Sequence, residues 1–280
     1  MVNILFCGND KVFDGMLSCA LSILKRTENS EPFTFYIFTM DVSHIKDTYL
    51  PLTERQSEFL ERVVQRYNPE NRVRKIDVTD LYMREFHSSP NESAYCSPYT
   101  LIRLLADQVE EIPDKLLYLD VDLLFARDIH LLYDIDIEKY ELAGATDHYG
   151  KYLIHPRYIN AGVLLFNMTR MRESRFFERA RDLLRKKKML FADQSAINRT
   201  VRRRRVLPQR FNDQKFLHRH TVVRHFSKRL FWLPYPHTAN IKQWQVDEIH
   251  RIFGYHRLDD ILEEYLFEKA NFNREESIHG

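Results

Sequence analysis

Short apolar runs alternate along this chain with longer stretches whose apolar residues recur at helical spacing. Residues 2–7 are apolar enough for a buried first strand, and Gly8-Asn9-Asp10 ends it before Met16, Leu17, Ala20, Leu21 and Leu24 mark a helix. Residues 33–39 give a second strand, residues 54–67 a helix with Phe59, Leu60, Val63 and Val64 on one stripe, and residues 72–76 a third strand. Strand, helix, strand in this rhythm predicts βαβ units and a parallel sheet. Residues 97–109 read as a helix with Pro98 near its start and Leu101, Leu104, Leu105 and Ala106 facing inward. Strands are expected at 116–119, 142–146, 158–167 and from 222 into a loop reaching 232. Residues 172–188 predict an amphipathic helix whose charges form a solvated face, and residues 257–272 a terminal helix packing through Leu258, Ile261, Leu262, Tyr265 and Leu266.

The informative positions are those where polarity interrupts this pattern. In KLLYLDVDLLFAR, Asp120 and Asp122 sit inside an otherwise apolar run. Side chains at i and i+2 of an extended chain share a side, roughly 6.5–7 Å apart at Cα, so both carboxylates can close on one cation. A bare buried pair would be costly, and a divalent ion reverses the sign of both the desolvation and the repulsion terms. The alternative is a strand that ends at Leu119, with both acids capping or facing water. Arg103 falls in the middle of an apolar helical face, where it needs an anionic partner or a stem that snorkels to water. Gly8 at a strand end lets a base or ribose approach the backbone. Asp147 and Asn160 offer hydrogen bonds to sugar hydroxyls or serve as turn residues, and Gly162 keeps the wall beside them low. Asp193 is placed to N-cap the helix containing Ala196 and Ile197. His225, after two β-branched residues, is a candidate nitrogen ligand near the sheet edge.

Composition narrows the reading. At 280 residues the chain suits one parallel-sheet unit with a small C-terminal appendage, drawn as 1–240 and 241–280. Forty-two basic against 40 acidic residues leave a net charge of +2, which announces no nucleic-acid partner. The basic run 202–205 is short and lacks interleaved aromatics, so an anionic membrane surface fits it better than nucleic acid. Cys7, Cys19 and Cys96 lack metal-ligand spacing and read as free thiols of a reducing compartment, which gives a cytoplasmic expectation with peripheral contact at the inner membrane face. No stretch approaches a membrane span, and the sequons at Asn91, Asn167 and Asn198 are taken as chance.

Four segments occur in an order that carries a resemblance: FCGND, LLYLDVDLLF, YINAGVLLFN, and the pair ADQ with RHFSK. Over about residues 2–232 the chain resembles the retaining glycosyltransferases of family 8, which include lipopolysaccharide galactosyltransferases and glycogenin. The resemblance implies an α/β fold of GT-A type, a Rossmann-like mixed sheet flanked by helices, transferring glucose or galactose from a uridine-diphosphate sugar to a carbohydrate-bearing acceptor with Mn²⁺, or Mg²⁺ as the alternative. It implies that Cys7, Gly8 and Asn9 contact uracil and that Asp120, Asp122 and His225 hold the metal. It further implies that Asp120, Val121, Asp147, Asn160 and Ala161 face the donor, that Arg103 bridges a carboxylate and the donor sugar, and that Asp193 and Gln194 lie at the reacting sugar. Lys228, with Arg229 as competitor, becomes the diphosphate contact. Five positions depart from the family pattern: Asn9 for an aspartate, Val12 for an aromatic, Leu101 for a tyrosine, Ser195 for an acid, and the absence of a glycine after His225. A sugar-phosphate nucleotidyltransferase is the competing enzyme class, but FCGNDKVFDG is poor in glycine for its phosphate loop. An inactive nucleotide-sugar-binding protein is the other alternative.

Overall fold

The computed structural model describes residues 1–28, 30–92, 97–231 and 235–279. Strands β1 (Val2–Cys7), β2 (Phe33–Thr39), β3 (Arg72–Asp77) and β4 (Lys115–Leu119) carry the apolar runs in the first half of the chain. β5 (Leu123–Phe125) leaves the sheet, and β6 (Leu142–Ala145), β7 (Val163–Asn167), β8 (Arg204–Leu207) and β9 (Val223–His225) follow. One seven-stranded sheet has the order β3-β2-β1-β4-β7-β6-β8, and β5 pairs with β9 outside it. The β1–β2, β2–β3, β1–β4 and β6–β8 pairs are parallel. β7 runs antiparallel to both β4 and β6, so the sheet is mixed rather than all-parallel.

That reversal positions the site. The chain enters β7 beside the exit of β4, and Asp120 N–H donates to the Gly162 carbonyl at 2.8 Å. The strand order also diverges at β1, with β2 on one side and β4 on the other, which opens a crevice at their carboxyl ends.

Apolar layers cover both faces. The helices Phe13–Arg26, Glu54–Gln65 and Asp259–His279 pack on one face through Met16, Leu17, Phe59, Leu60, Tyr265 and Phe272. On the other lie Thr79–Phe86, Phe176–Lys186 and Ala192–Thr200, through Tyr82, Phe86, Phe177, Ala180 and Ile197. The Glu54–Gln65 helix starts with a reciprocal Thr53–Gln56 capping box, which satisfies two otherwise unpaired N–H groups.

Several expectations are corrected. Residues 97–109 form two 3-10 segments, Pro98–Thr100 and Ile102–Gln108, not one α-helix, although Leu101, Leu104, Leu105 and Ala106 are buried as the pattern requires. Here i and i+3 lie in line, and Arg103 Nε–H donates to the Thr100 carbonyl at 2.9 Å. The stretch expected as a helix over 172–188 breaks at Arg175, whose φ is 53°, into Met168–Glu173 and Phe176–Lys186. Its charges are not all solvated: Arg181 is buried against Asp107, 2.5 Å away, and the Leu104 carbonyl. Leu266 is 48% exposed because the buried stripe of the terminal helix runs through Leu258, Ile261, Leu262, Tyr265, Glu268 and Phe272 instead. Cys7 and Cys19 are free and buried, and Cys96 and Trp232 lie outside the described residues. No helix among the described residues is long and apolar enough to cross a membrane.

Candidate active site

β4 stops at Leu119, and Asp120-Val121-Asp122 form a bend instead of continuing the strand. The acids therefore do not converge by strand alternation. They converge because β5, directly after the bend, pairs with β9 and brings Leu123 opposite His225. The ligand atoms of Asp120, Asp122 and His225 all lie within 4.8 Å of one another. His225 Nε2 is 3.1 Å from Asp122 Oδ1 and 3.9 Å from Asp120 Oδ2. Its other nitrogen, Nδ1, meets Asn212 Oδ1 at 3.0 Å, a contact that orients the ring with Nε2 toward the acids. Gly162 is required in this corner, since an added Cβ would lie 2.4 Å from His225 Cε1 and 2.8 Å from Asp120 Oδ2.

Arg103, only 2% exposed, joins these elements. It donates from Nη2 to Asp120 Oδ1 at 3.2 Å and from Nη1 to the Ala161 carbonyl at 2.6 Å, and its Nε lies 3.3 Å from Asp193 Oδ2. Its guanidinium sits 3.9 Å from the centre of the Tyr118 ring, and the Tyr118 hydroxyl donates to Asp120 Oδ1 at 2.6 Å. The predicted anionic partner of Arg103 is thus the first acid of the pair. Burial alone pushes the Asp193 carboxyl above its ordinary range, Asp120 adds to this, and Arg103 opposes it. Asp193 is the second residue of the helix Ala192–Thr200, not its N-cap, because Phe191 occupies that position. For Asp122, burial would raise the carboxyl, but the charges and hydrogen bonds of His225 and Lys242 outweigh it and hold it well below the carboxylate range.

Lys242 was not legible in the sequence. Its Nζ donates to Asp122 Oδ2 at 2.5 Å and to the Phe226 carbonyl at 3.2 Å. Buried Gln243 donates to the Val121 carbonyl at 2.7 Å, which ties this late segment to the bend. A cavity of about 240 Å³ opens here, lined by Cys7, Gly8, Asn9, Val12, Tyr99 and Trp244 together with both acids and Lys242. Tyr99 and Trp244 give this cavity two aromatic side chains beside Val12. Trp244, one of two tryptophans in the chain and two residues after a lysine, was the available signal.

A second cleft, about 530 Å³, holds Asp147, Asn160 and Gln194. Here the polar groups bind one another. Asn160 Nδ2 donates to Asp147 Oδ2 at 2.9 Å, and Asn160 Oδ1 accepts from Gly162 N–H and Asn212 Nδ2 at 2.9 and 2.8 Å. Gln194 Oε1 accepts from Ala161 N–H at 2.9 Å, and its Nε2 approaches Asp147 Oδ2 at 3.5 Å. Asp147 also accepts from Gly150 N–H at 2.7 Å, so it serves as both turn residue and network member. Ser195 Oγ lies 3.2 Å from the Tyr158 hydroxyl and accepts from Phe191 N–H. Lys228 and Arg229 line this cleft, not the cavity that holds the paired acids.

The family model described as glycosyl transferase family 8 matches residues 3–220, well over half of the chain. The chain belongs to glycosyl transferase family 8. A Haemophilus influenzae protein named as a glycosyltransferase is 25% identical over 209 residues, covering 70% of this chain and 58% of that protein; the chain thus spans little more than half of that relative's length. The galactosyltransferase LgtC, solved with donor and acceptor sugar analogs, superposes with a TM-score of 0.69 at 19% identity, over 94% of this chain and 96% of its own. The bifunctional glycosyltransferase WbbM superposes with a TM-score of 0.68 at 17% identity, over 95% of this chain and 51% of its own. These similarities place the family 8 chain in the GT-A fold.

Proposed function

We propose that this chain is a retaining hexosyltransferase that moves glucose or galactose from a uridine-diphosphate sugar to a carbohydrate-bearing acceptor, with Mn²⁺ or Mg²⁺ held by Asp120, Asp122 and His225. One observation carries the reading: two carboxylates and an imidazole oriented by Asn212 converge at a strand end, beside a cavity bounded by Gly8. That donor set suits a cation bound mainly by oxygens, and the acids already sit among groups that stabilise charge. When bound, the ion supplies positive charge against the leaving diphosphate.

The chain's own residues do the rest. Backbone at Cys7 and Gly8 and the side chain of Asn9 meet the uracil edge, with Tyr99 and Trp244 as its apolar walls. Arg103 fixes Asp120, and Val121 and Ala161 present backbone to the donor sugar. Lys242 replaces Lys228 in our assignment of the diphosphate cation, since it faces the acid pair while Lys228 lines the neighbouring cleft. Asp147 and Asn160 orient sugar hydroxyls. The catalytic unit is residues 1–240, with the C-terminal segment packed on it and contributing Lys242 and Trp244.

Retention through a covalent ester needs a free carboxylate under the anomeric carbon. Gln194 is an amide, Ser195 is engaged by Tyr158 and Phe191, and Asp193 is buried against Arg103. Attack on the face that the diphosphate leaves is therefore favoured: the acceptor oxygen bonds the anomeric carbon, its proton passes to a diphosphate oxygen, and Gln194 stabilises the positive charge that develops between. A screen of uridine-diphosphate sugars with Mn²⁺ should release uridine diphosphate and give an α-linked product from an α-linked donor. Formation of uridine triphosphate and sugar 1-phosphate on adding inorganic diphosphate would point to nucleotidyl transfer, and binding without turnover to a donor-binding protein.

The basic run adds a peripheral contact with an anionic membrane surface. Arg204 and Arg205 are bonded to the carbonyls of Asn198 and Asp136, which leaves Arg202 and Arg203 as its exposed members. Replacing all four with serine should weaken binding to anionic vesicles and leave turnover of soluble donor nearly unchanged; equal vesicle binding would remove the idea.

A further inference from the structure

We propose that His44, His87 and Glu92 form a second cation site, apart from the acid pair, and that it takes Zn²⁺. His44 lies in the loop after β2, which is closed by a Val42 N–H to Tyr49 carbonyl bond of 3.1 Å. His87 follows the last residue of the helix Thr79–Phe86, and Glu92 lies five positions on. One ligand atom from each falls within 4.8 Å of the others.

The distances favour a metal over hydrogen bonding. Glu92 Oε1 is 3.4 Å from His44 Nε2 and 3.6 Å from His87 Nδ1. Both exceed the roughly 2.7–3.2 Å of a good N–H···O bond. Both approach the edge of a tetrahedron whose centre is about 2.0–2.1 Å from nitrogen and oxygen corners, an edge of roughly 3.4 Å. The rings meet edge to face, 5.5 Å between centres, and do not stack. Glu92 is oriented from behind: its other oxygen accepts from Ser88 N–H at 2.9 Å, and Ser88 holds a left-handed φ of 60° that is uncommon outside glycine. Two imidazoles and one carboxylate, with a fourth corner open to water, are a zinc-type set.

A cluster of similar composition gives the contrast. Asp259 lies 2.7 Å from His250 and 3.1 Å from His256 through two different oxygens, and the two rings stack 4.8 Å apart. Ordinary hydrogen bonds satisfy that group.

An ion on His44, His87 and Glu92 ties the 41–50 loop to the 87–92 loop. Tyr49 of the first loop packs edge-on against Tyr99 at 5.7 Å, and the Tyr99 hydroxyl donates to the Met40 carbonyl at 3.0 Å. Tyr99 walls the cavity beside Gly8, so the ion clamps the outer support of that wall. The site itself stands independently of the donor assignment.

Co²⁺ is the spectroscopic probe, applied to full-length Asp122→Asn protein so that the acid-pair site does not contribute. The site should take one equivalent with the visible bands of tetrahedral cobalt, and Zn²⁺ should displace it. Adding His87→Gln or Glu92→Gln should abolish the bands, and adding His256→Gln should not. Zn²⁺ should raise the melting temperature of the Asp122→Asn protein but not that of Asp122→Asn with His87→Gln. Absence of tetrahedral bands, or bands indifferent to His87→Gln, would overturn the proposal.

Discussion

The two clefts of this family 8 chain are built in different ways. Around Asp120 and Asp122 the structure gathers the cations Arg103 and Lys242 and the imidazole of His225, each within about 4 Å of a carboxylate. On Asp147 itself it sets neutral amides, where Asn160, Gln194 and Asn212 are held by one another and by backbone, while Lys215, Lys228 and Arg229 stand elsewhere on the wall of that cleft. Charges in the first cleft are stabilised mainly by opposite charge, with the Tyr118 hydroxyl adding a neutral donor, so losing one member exposes the rest. Amides in the second are already satisfied, which fixes their direction at little electrostatic risk. The proposed function assigns the diphosphate to the first cleft and an uncharged sugar to the second, and this difference suits that assignment.

The sharpest way to break the comparison is Asp122→Asn. Mn²⁺-dependent nucleotide-sugar binding should fall at least about a hundredfold with the fold intact, and calorimetry showing unchanged affinity would rule out the assignment. The same variant tests the sign of the Asp122 shift. Because the folded carboxyl lies below its ordinary value of 3.8, its stabilisation is present above that pH and lost as pH falls through it. Metal-free wild-type protein should therefore lose stability below about pH 4 more steeply than Asp122→Asn.

Next in size is Arg103→Met, which leaves Asp120 and Asp193 without their buried counter-charge. Chemical denaturation should show a loss of about 3–5 kcal/mol. A loss below about 1 kcal/mol would mean that Arg103 is not the link between the two carboxylates.

Lys242→Met and Lys228→Met separate the clefts. The first should weaken donor binding on the order of tenfold, as for a charge-assisted contact, and the second by much less. The reverse order would restore the assignment drawn from the sequence.

Smallest of all is Ser195→Ala, expected to keep turnover within about threefold. A hexose adduct on Ser195 or Asp193 seen by mass spectrometry during turnover would overturn same-face attack.

What the sequence by itself determined was whatever rests on local pattern. Apolar periodicity gave the strands and most helices, and the framing of Asp120 and Asp122 by LLYL and LLF singled out the pair, because buried carboxylates are rare enough to stand out. Arg103 was legible for the same reason. What only the tertiary structure decided were relations between distant segments. The reversal of β7, which places Gly162 against His225, follows from sheet pairing and not from the apolar run of β7. Phe191 rather than Asp193 at the helix start, and the ion pair that holds Asp193 against Arg103, depend on packing across 90 residues of chain. Lys242 lies 120 residues from Asp122 in a segment without helical or strand periodicity, where the nearby Trp244 is the one local mark. Its role comes from where the C-terminal chain crosses the β1–β4 crevice, and contact at that sequence separation is set by the folded path alone.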